Sequence, residues 1–437
     1  PSGGGRGSHP AGPRAASWRG DREPRRVGLR VGTGTAAASG GEGPGAGRTR
    51  RRYPQCMALR RWRRLRRPAP AIPGRRGAVA LGVGLGLAVM TGPGAGAPVA
   101  ATATTAATTT AATTTTAATA MAARPVPAQV FAPYFETYNP GSPAVVAGAS
   151  GARYLTLAFL QTPARGSCTV DWDGDRSRPV ARSVYGSAIA TMRTRGGDVV
   201  PSFGGYSADH DGTDIADSCT SVARIAAAYE QVVTTYGVTR LDLDVEDRSL
   251  DDDAGIDRRS RAIHLVEGWA ATTHRTVQFV LTMPTDVAGL AAPARHVLAD
   301  AADDRATITV VNIMTFDYFD GRHHRMGADA ETAADHLVAV LHRLHPAEST
   351  GALWRGVGIT QMIGVDDEGP AETFTPAEAP AFERWAAAHH LAELSFWAAE
   401  RDDGDCPGVA GRDDCSGVRQ VTWAFSHVLE RFTTTTA

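Results

Sequence analysis

Along residues 126–432, short apolar and β-branched runs alternate with longer stretches whose apolar residues recur at spacings of three and four. The first pattern predicts strands at 130–135, 154–160, 199–203, 241–246, 277–283, 307–314, 357–362 and 394–397. The second predicts helices between them, among them 215–236, 257–273, 329–344 and 380–390, with 418–432 closing the region. Eight strand–helix units in about 305 residues is the count and size of a (β/α)8 TIM barrel, an α/β fold. The rival, an open doubly wound sheet, would carry a Gly-rich phosphate turn after its first strand. Thr137-Tyr138-Asn139-Pro140 stands there instead.

The fourth strand reads Leu241-Asp242-Leu243-Asp244-Val245-Glu246. Side chains alternate along a strand, so the three carboxylates share one face, about 6.6 Å apart at each step. Leu241, Leu243 and Val245 share the other. In a barrel the acidic face points into the lumen, with Glu246 highest, at the C-terminal rim where barrel enzymes work. Three carboxylates in a narrow space cannot all ionise cheaply, because repulsion and burial raise at least one pKa. A Glu kept protonated near neutral pH is a general acid. The pattern therefore predicts Glu246 as proton donor, Asp244 beside it and Asp242 sharing a proton deeper in. A solvated acidic edge strand is the competing reading, but it would leave the Leu-Leu-Val face without cover.

Composition separates this region from what precedes it. The 437 residues carry 45 basic and 46 acidic side chains, a formal net charge of −1, and every basic residue is Arg. Residues 1–80 hold nineteen basic and three acidic side chains, a net +16, and the remainder carries −17. The acidic part gives no support for a nucleic-acid partner. Residues 1–56, mostly Gly, Pro, Ala, Ser and Arg, cannot bury enough surface to offset the entropy of folding and are expected to be disordered. Met57 is a better natural start than Pro1, which would leave 1–56 untranslated. From Met57, a basic stretch, an apolar run at 78–90 and small residues up to Ala97 follow the layout of a secretory signal peptide, 57–97. An RNA-binding arm or a membrane anchor competes with this, but no apolar run reaches the roughly 18–20 residues that span a bilayer. Residues 98–125, almost pure Ala and Thr over 101–123, read as a flexible linker. The expectation is a secreted, extracellular monomer with no stable membrane anchor.

Cys56 falls outside the expected mature chain. Cys168, Cys219, Cys406 and Cys415 remain, and an even number in an exported chain suggests two disulfides. Cys406 and Cys415 close a short Gly/Asp-rich loop and are paired, which leaves Cys168 with Cys219; four free buried thiols are the alternative. The spacing matches no zinc pattern. Asp171-Trp172-Asp173-Gly174-Asp175 imitates a calcium loop, but Arg176 stands where such a loop needs Gly and Arg182 where it needs Glu. It is expected to be an acidic surface loop. His323-His324, His342, His345 and His389-His390 form no His-Glu-x-x-His pattern and are expected at the surface or at helix ends. No metal and no cofactor are expected.

Asp242-x-Asp244-x-Glu246 resembles the catalytic signature of glycoside hydrolase family 18, the chitinase family. Three further segments carry the likeness. Val199-Val200-Pro201-Ser202-Phe203-Gly204-Gly205 looks like the family's Ser-x-Gly-Gly motif on strand three, and Asn312-Ile313-Met314-Thr315-Phe316-Asp317-Tyr318 like its strand-six motif. Ser395-Phe396-Trp397 looks like the strand-eight segment whose Trp floors the sugar site. Gly204 and Gly205 would let backbone approach where a side chain would block the lumen. Trp397 could stack on a sugar ring, and Met314, Asp317 and Tyr318 would line the pocket. Tyr134, Phe159 and Gln361 join them as candidate substrate contacts.

The resemblance implies a retaining, substrate-assisted hydrolysis of chitin or N-acetylglucosamine oligosaccharides, an exception to the two-carboxylate scheme. Glu246 would protonate the glycosidic oxygen, the substrate's N-acetyl oxygen would attack the anomeric carbon, and Asp244 would stabilise the oxazolinium. An endo-β-N-acetylglucosaminidase acting on glycoprotein glycans, or a non-catalytic chitin-binding lectin, remains an alternative. The chain departs from the family at three places. Thr239 and Arg240 replace Asp-Gly before the carboxylates. Phe316 stands where the family often has a Tyr that assists the acetamide. The stretch after strand seven is too short for the family's small insertion domain, which predicts the bacterial type with an open groove.

Overall fold

The computed structural model describes residues 126–433. The expected disordered segment 1–56, the signal peptide and the linker up to 125 lie outside the described residues. Strands and helices alternate as predicted. β1 (Val130–Phe131) and β2 (Tyr134–Glu136) precede α1 (Pro143–Ser150), β3 (Tyr154–Gln161), β4 (Asp171–Trp172), α2 (Arg182–Thr194) and β5 (Asp198–Gly204). There follow α3 (Tyr206–Asp211), α4 (Ile215–Ser218), α5 (Val222–Tyr236), β6 (Arg240–Asp244), α6 (Asp253–Thr272), β7 (Gln278–Pro284) and α7 (Ala292–Asp303). Then come β8 (Ile308–Met314), α8 (Met326–Leu344), α9 (Thr350–Trp354) and β9 (Val357–Met362). A hairpin of β10 (Gly364–Asp366) and β11 (Gly369–Phe374) leads to α10 (Ala379–His389), β12 (Glu393–Trp397) and α11 (Ala424–Leu429).

The parallel ladder runs β1, β12, β9, β8, β7, β6, β5, β3, β2. Its two ends are halves of one strand, so the ladder returns on itself as a (β/α)8 barrel. The expected first strand is broken at Ala132-Pro133, because a proline has no N–H to give a ladder. β1 pairs with β12 and β2 with β3. Two bonds span the break: the Ala132 N–H donates to the Leu394 carbonyl at 2.9 Å, and the Thr156 N–H to the Pro133 carbonyl at 3.0 Å.

Local chemistry also redraws three other predicted elements. The helix expected over 215–236 stops at Ser218, since the next residue, Cys219, is bonded to Cys168. A new helix starts after Ser221, whose side chain accepts the Arg224 N–H as an N-cap. The stretch 418–432 is α-helical only over Ala424–Leu429. The acidic loop around Asp173 is not wholly at the surface. Trp172 is fully buried, packs edge-on to Tyr185 and donates its indole N–H to the Tyr236 hydroxyl at 2.8 Å. An indole ring must be covered and its N–H paired, and this draws β4 antiparallel onto β3.

One continuous apolar cluster lies between the outer strand faces and the helices. Leu155, Leu157, Leu241, Leu243, Phe279, Leu281, Ile313 and Leu394 meet Ile189, Ile225, Val232, Ile263, Val297 and Leu337 there. Each such side chain contributes about 1.5–3 kcal/mol on burial. Both expected disulfides are present. In the chain-entropy account the Cys168–Cys219 bond, which spans 51 residues, is worth about 4 kcal/mol.

Inside the barrel the N-terminal end is closed by Val280, Val310 and Ala392 and by a buried Arg240–Glu393 pair. The described chain also finishes at this end. The Phe131 N–H donates to Thr433 Oγ1 at 3.0 Å, and Arg153, just before β3, pairs with Glu430. Among the described residues no helix is long and apolar enough to cross a membrane.

Candidate active site

β6 carries Asp242 and Asp244 into the lumen while Leu241 and Leu243 pack outward against the helices. The strand formally ends at Asp244, but the Val245 N–H still reaches the Thr282 carbonyl at 2.8 Å. Glu246 keeps an extended backbone with φ −130°. The predicted alternation thus continues to the half-buried Glu246 at the C-terminal rim.

Asp242 sits deepest and is fully hydrogen-bonded. Its Oδ2 accepts from the Tyr134 hydroxyl at 3.0 Å and the Ser202 hydroxyl at 2.5 Å, and its Oδ1 from Thr282 at 2.6 Å. Asn312 Nδ2 donates in turn to Thr282 Oγ1 at 2.9 Å and Thr360 Oγ1 at 2.7 Å. Three hydroxyls thus meet the Asp242 oxygens, while its charge also raises the pKa of Asp244 above it. Burial pushes its carboxyl up to about 6, and the three donors hold it back from going higher.

Asp244, one step higher, has Oδ1 buried without a hydrogen-bond partner. Burial raises its pKa well above the ordinary carboxylate value, and the charges of Glu246 and Asp242 add to this. Burial pushes Glu246 up to about 7; a Tyr206 N–H bonded to its carboxyl opposes this, and the Asp247 charge adds to it.

The turn after β5 clasps this strand end. The Gly205 N–H donates to the Asp244 carbonyl at 3.1 Å, the Tyr206 N–H to the Glu246 carboxylate, and the Glu246 N–H to Asp209 Oδ2 at 2.5 Å. The two glycines make the approach possible. At Gly204, φ +93°, a Cβ would lie 2.1 Å from the Asp244 carbonyl oxygen. At Gly205, φ +82°, it would lie 2.6 Å from the Phe159 ring. Both torsions lie where L side chains are disfavoured.

Three predicted aromatic contacts come together beside the carboxylates. Trp397 stacks on Phe159 with ring centroids 5.7 Å apart and planes 12° apart, and it meets Tyr134 at 5.7 Å. Non-proline cis peptides follow Ala158 and Trp397. Gln361 is fully buried on β9; its Nε2 donates to the Met326 carbonyl at 3.2 Å and its Oε1 has no partner. Met314 is half-buried at the end of β8. Asp317 and Tyr318 follow it, and the structure ties their backbone to the hairpin. The Asp317 N–H donates to Asp366 Oδ2 at 3.3 Å and the Tyr318 N–H to Glu372 Oε2 at 2.9 Å. Asp317 Oδ1 and the Tyr318 hydroxyl are buried without a partner. Phe316 is buried in the main core cluster.

Sequence reasoning missed Thr282, Tyr206 and Asp209, and left Ser202 and Asn312 as motif letters. Thr282 and Asn312 hold inward positions on their strands, a signal that alternation could have supplied. Asp209 has no local signal, because only the fold brings it to the Glu246 N–H.

Two groups could offer three metal-ligating atoms within 4.8 Å: Asp320, His324 and Glu372, and Asp209, Asp214 and Asp217. In the second group Arg259 already sits 3.0 Å from Asp214 and supplies positive charge. In the first, both His324 nitrogens are bonded, to Asp320 and to Asp329 at 2.9 Å each. His324 is therefore a largely covered residue between two carboxylates rather than a surface histidine. Cavities of about 390 and 230 Å³ lie beside the Cys406–Cys415 loop and behind Asp209; the carboxylates of β6 line neither.

No family model matches the chain. Over 287 residues it is 28% identical to a probable bifunctional chitinase/lysozyme of Escherichia coli K12, which covers 63% of this chain and 31% of that protein. Over 290 residues it is 27% identical to endochitinase 11 of Metarhizium anisopliae, which covers 63% of this chain and 53% of that protein. The chain therefore spans about half or less of the length of the curated relatives it matches. Active domain 2 of the chitinase from Pyrococcus furiosus is similar in structure, with a TM-score of 0.62 at 28% identity over 71% of this chain and 96% of that one. Catalytic-site mutants of that domain have been solved with chito-oligosaccharides.

Proposed function

The chain belongs to glycoside hydrolase family 18, the chitinase family, and from that premise we propose that it hydrolyses β-1,4 bonds between N-acetylglucosamine units with retention of configuration. The observation that carries this reading is the graded set of carboxyls on β6. Asp242 is saturated with donors, Asp244 keeps a bare buried oxygen, and Glu246 stands at the rim with its pKa pushed up to about 7. In the proposed reaction Glu246 gives its proton to the leaving glycosidic oxygen. The substrate's acetamide oxygen attacks the anomeric carbon as that bond breaks. Asp244 Oδ1 accepts the acetamide N–H and balances the positive oxazolinium. Glu246, now a carboxylate, takes a proton from water, which opens the ring and restores the acid.

Trp397, with Phe159 and Tyr134 packed against it, offers an apolar floor for a sugar ring. Asp317 Oδ1 and Gln361 Oε1 are buried acceptors without a protein donor, which suits a hydroxyl-rich ligand. The solved chito-oligosaccharide complexes of the Pyrococcus furiosus domain support the substrate class. Two disulfides in the barrel favour an oxidising compartment, and we extend the reading to a secreted enzyme.

The test is to incubate the purified protein with chitin oligomers and with a high-mannose glycoprotein. Release of N,N′-diacetylchitobiose is the expected result. Glycan release instead would reassign it to glycoprotein processing, and sugar binding with no product would remove the enzymatic reading.

A further inference from the structure

The hairpin that follows β9 is held rigidly from below. The Val365 N–H donates to the Ser416 carbonyl at 2.8 Å, and the buried Arg401 guanidinium donates to the Val365 carbonyl at 2.7 Å. A Cβ at Gly364 would lie 1.8 Å from the Ser416 carbonyl oxygen, so the backbones are in close contact there.

From this base two acidic side chains reach the turn after β8. Asp366 and Glu372 are 0% and 2% exposed. Asp366 Oδ1 accepts the N–H groups of Glu368 and Gly369, which closes the hairpin turn. Its Oδ2 takes the Asp317 N–H, while Glu372 Oε2 takes the Tyr318 N–H. The His324 N–H adds a bond to the Ala371 carbonyl at 2.9 Å. Asp317 has φ +53°, as does Phe319. Non-glycine residues keep such torsions only when their surroundings over-determine them. Here the surroundings are the two hairpin carboxyls.

Side by side and buried, these two acids are a costly way to hold a turn. Burial and Glu372 together raise the Asp366 pKa, and the two carboxyl groups share a hydrogen bond. A neutral pair would hold a merely structural turn more cheaply.

We infer that Asp366 and Glu372 are positioning residues that fix Asp317 and Tyr318 where a bound sugar meets them. The inference rests on the proposed function, since Asp317 and Tyr318 are its substrate contacts. The hairpin thus sets affinity for the substrate, while the protons move on β6.

The test compares Glu372→Ala with Glu372→Gln in steady-state kinetics on chito-oligosaccharides. A Gln keeps an oxygen that can accept the Tyr318 N–H and an amide that can still hydrogen-bond Asp366. Glu372→Ala is expected to raise KM about tenfold with kcat changed less than about threefold, and Glu372→Gln to recover most of that loss. An unchanged KM in Glu372→Ala, or equal losses of kcat in both variants, would overturn the inference. If Glu372→Ala does not fold, Glu372→Met keeps the bulk without an acceptor and carries the same expectations. Amide hydrogen exchange separates this idea from the reaction itself. If the wild-type protein cleaves no sugar, the proposed function falls, and exchange at Asp317 and Tyr318 still decides the clamp. Faster exchange in Glu372→Ala than in Glu372→Gln supports it, and equal rates sink it.

Discussion

Arg240 Nη1 lies 3.1 Å from Glu393 Oε2, with both side chains buried at the closed end of the barrel. Arg240 also bonds Gln278 at 3.1 Å. The departure from the family pattern at Arg240 thus has a structural partner on β12, far from the rim. Removing one member leaves a buried charge uncompensated. Glu393→Ala is expected to cost about 3–5 kcal/mol, read from denaturant melts. The double replacement Arg240→Met with Glu393→Met should lose clearly less, and equal losses would show that the pair is not what matters.

Glu246→Gln keeps the side-chain shape and removes the transferable proton. Turnover should fall by about 10²–10⁴ or more, while oligosaccharide affinity, measured by calorimetry, stays within a few fold. Undiminished turnover would exclude Glu246 as the acid.

The pH dependence has a definite sign. The proposed acid must be protonated, and Glu246 is pushed up to about 7, so kcat/KM should decline as pH rises through that value. Asp247 raises the Glu246 pKa by repulsion. Asp247→Asn should move the alkaline limb to lower pH by roughly half a unit, the scale of a partly exposed charge pair. An upward shift would contradict the repulsion.

Ser202 is one of three hydroxyls that hold Asp242 down towards about 6. Losing that donor lets the Asp242 pKa rise. Ser202→Ala should therefore shift the acidic limb of the rate profile upward and lower the rate near pH 6. A profile that drops uniformly without shifting would mean that Ser202 serves packing alone.

Folding should respond to pH through the same kind of group. Burial raises Glu136 to about 9 and Glu393 and Glu400 to about 7. The folded chain therefore binds protons that the unfolded chain releases near pH 4.5. The stability these groups give is complete below that pH and is lost as pH rises through 7 to 9. Urea midpoints at pH 5, 7 and 9 should fall in that order.

Much of this was legible because the physics is local. Alternation along 241–246 placed the three carboxyls on one face, and the barrel followed from the spacing of eight apolar runs. Where the readings failed, contacts distant in sequence decided the outcome. Cys219 ends a helix because it is bonded to Cys168, and Trp172 turns inward because Tyr185 and Tyr236 receive it. The three hydroxyls around Asp242 went unseen, because donors on β2, β5 and β7 cannot be located from β6 alone. Asp209 was invisible for the same reason, standing 37 residues from the N–H it accepts.

The bonds from Phe131 to Thr433 and from Arg153 to Glu430 put the two ends of the barrel domain side by side, opposite the rim. A tether at either end, or at both, would hold the domain by its back. The rim that carries Glu246 would then face outward, so the domain could be immobilised or fused to a carrier without masking the carboxyls of β6.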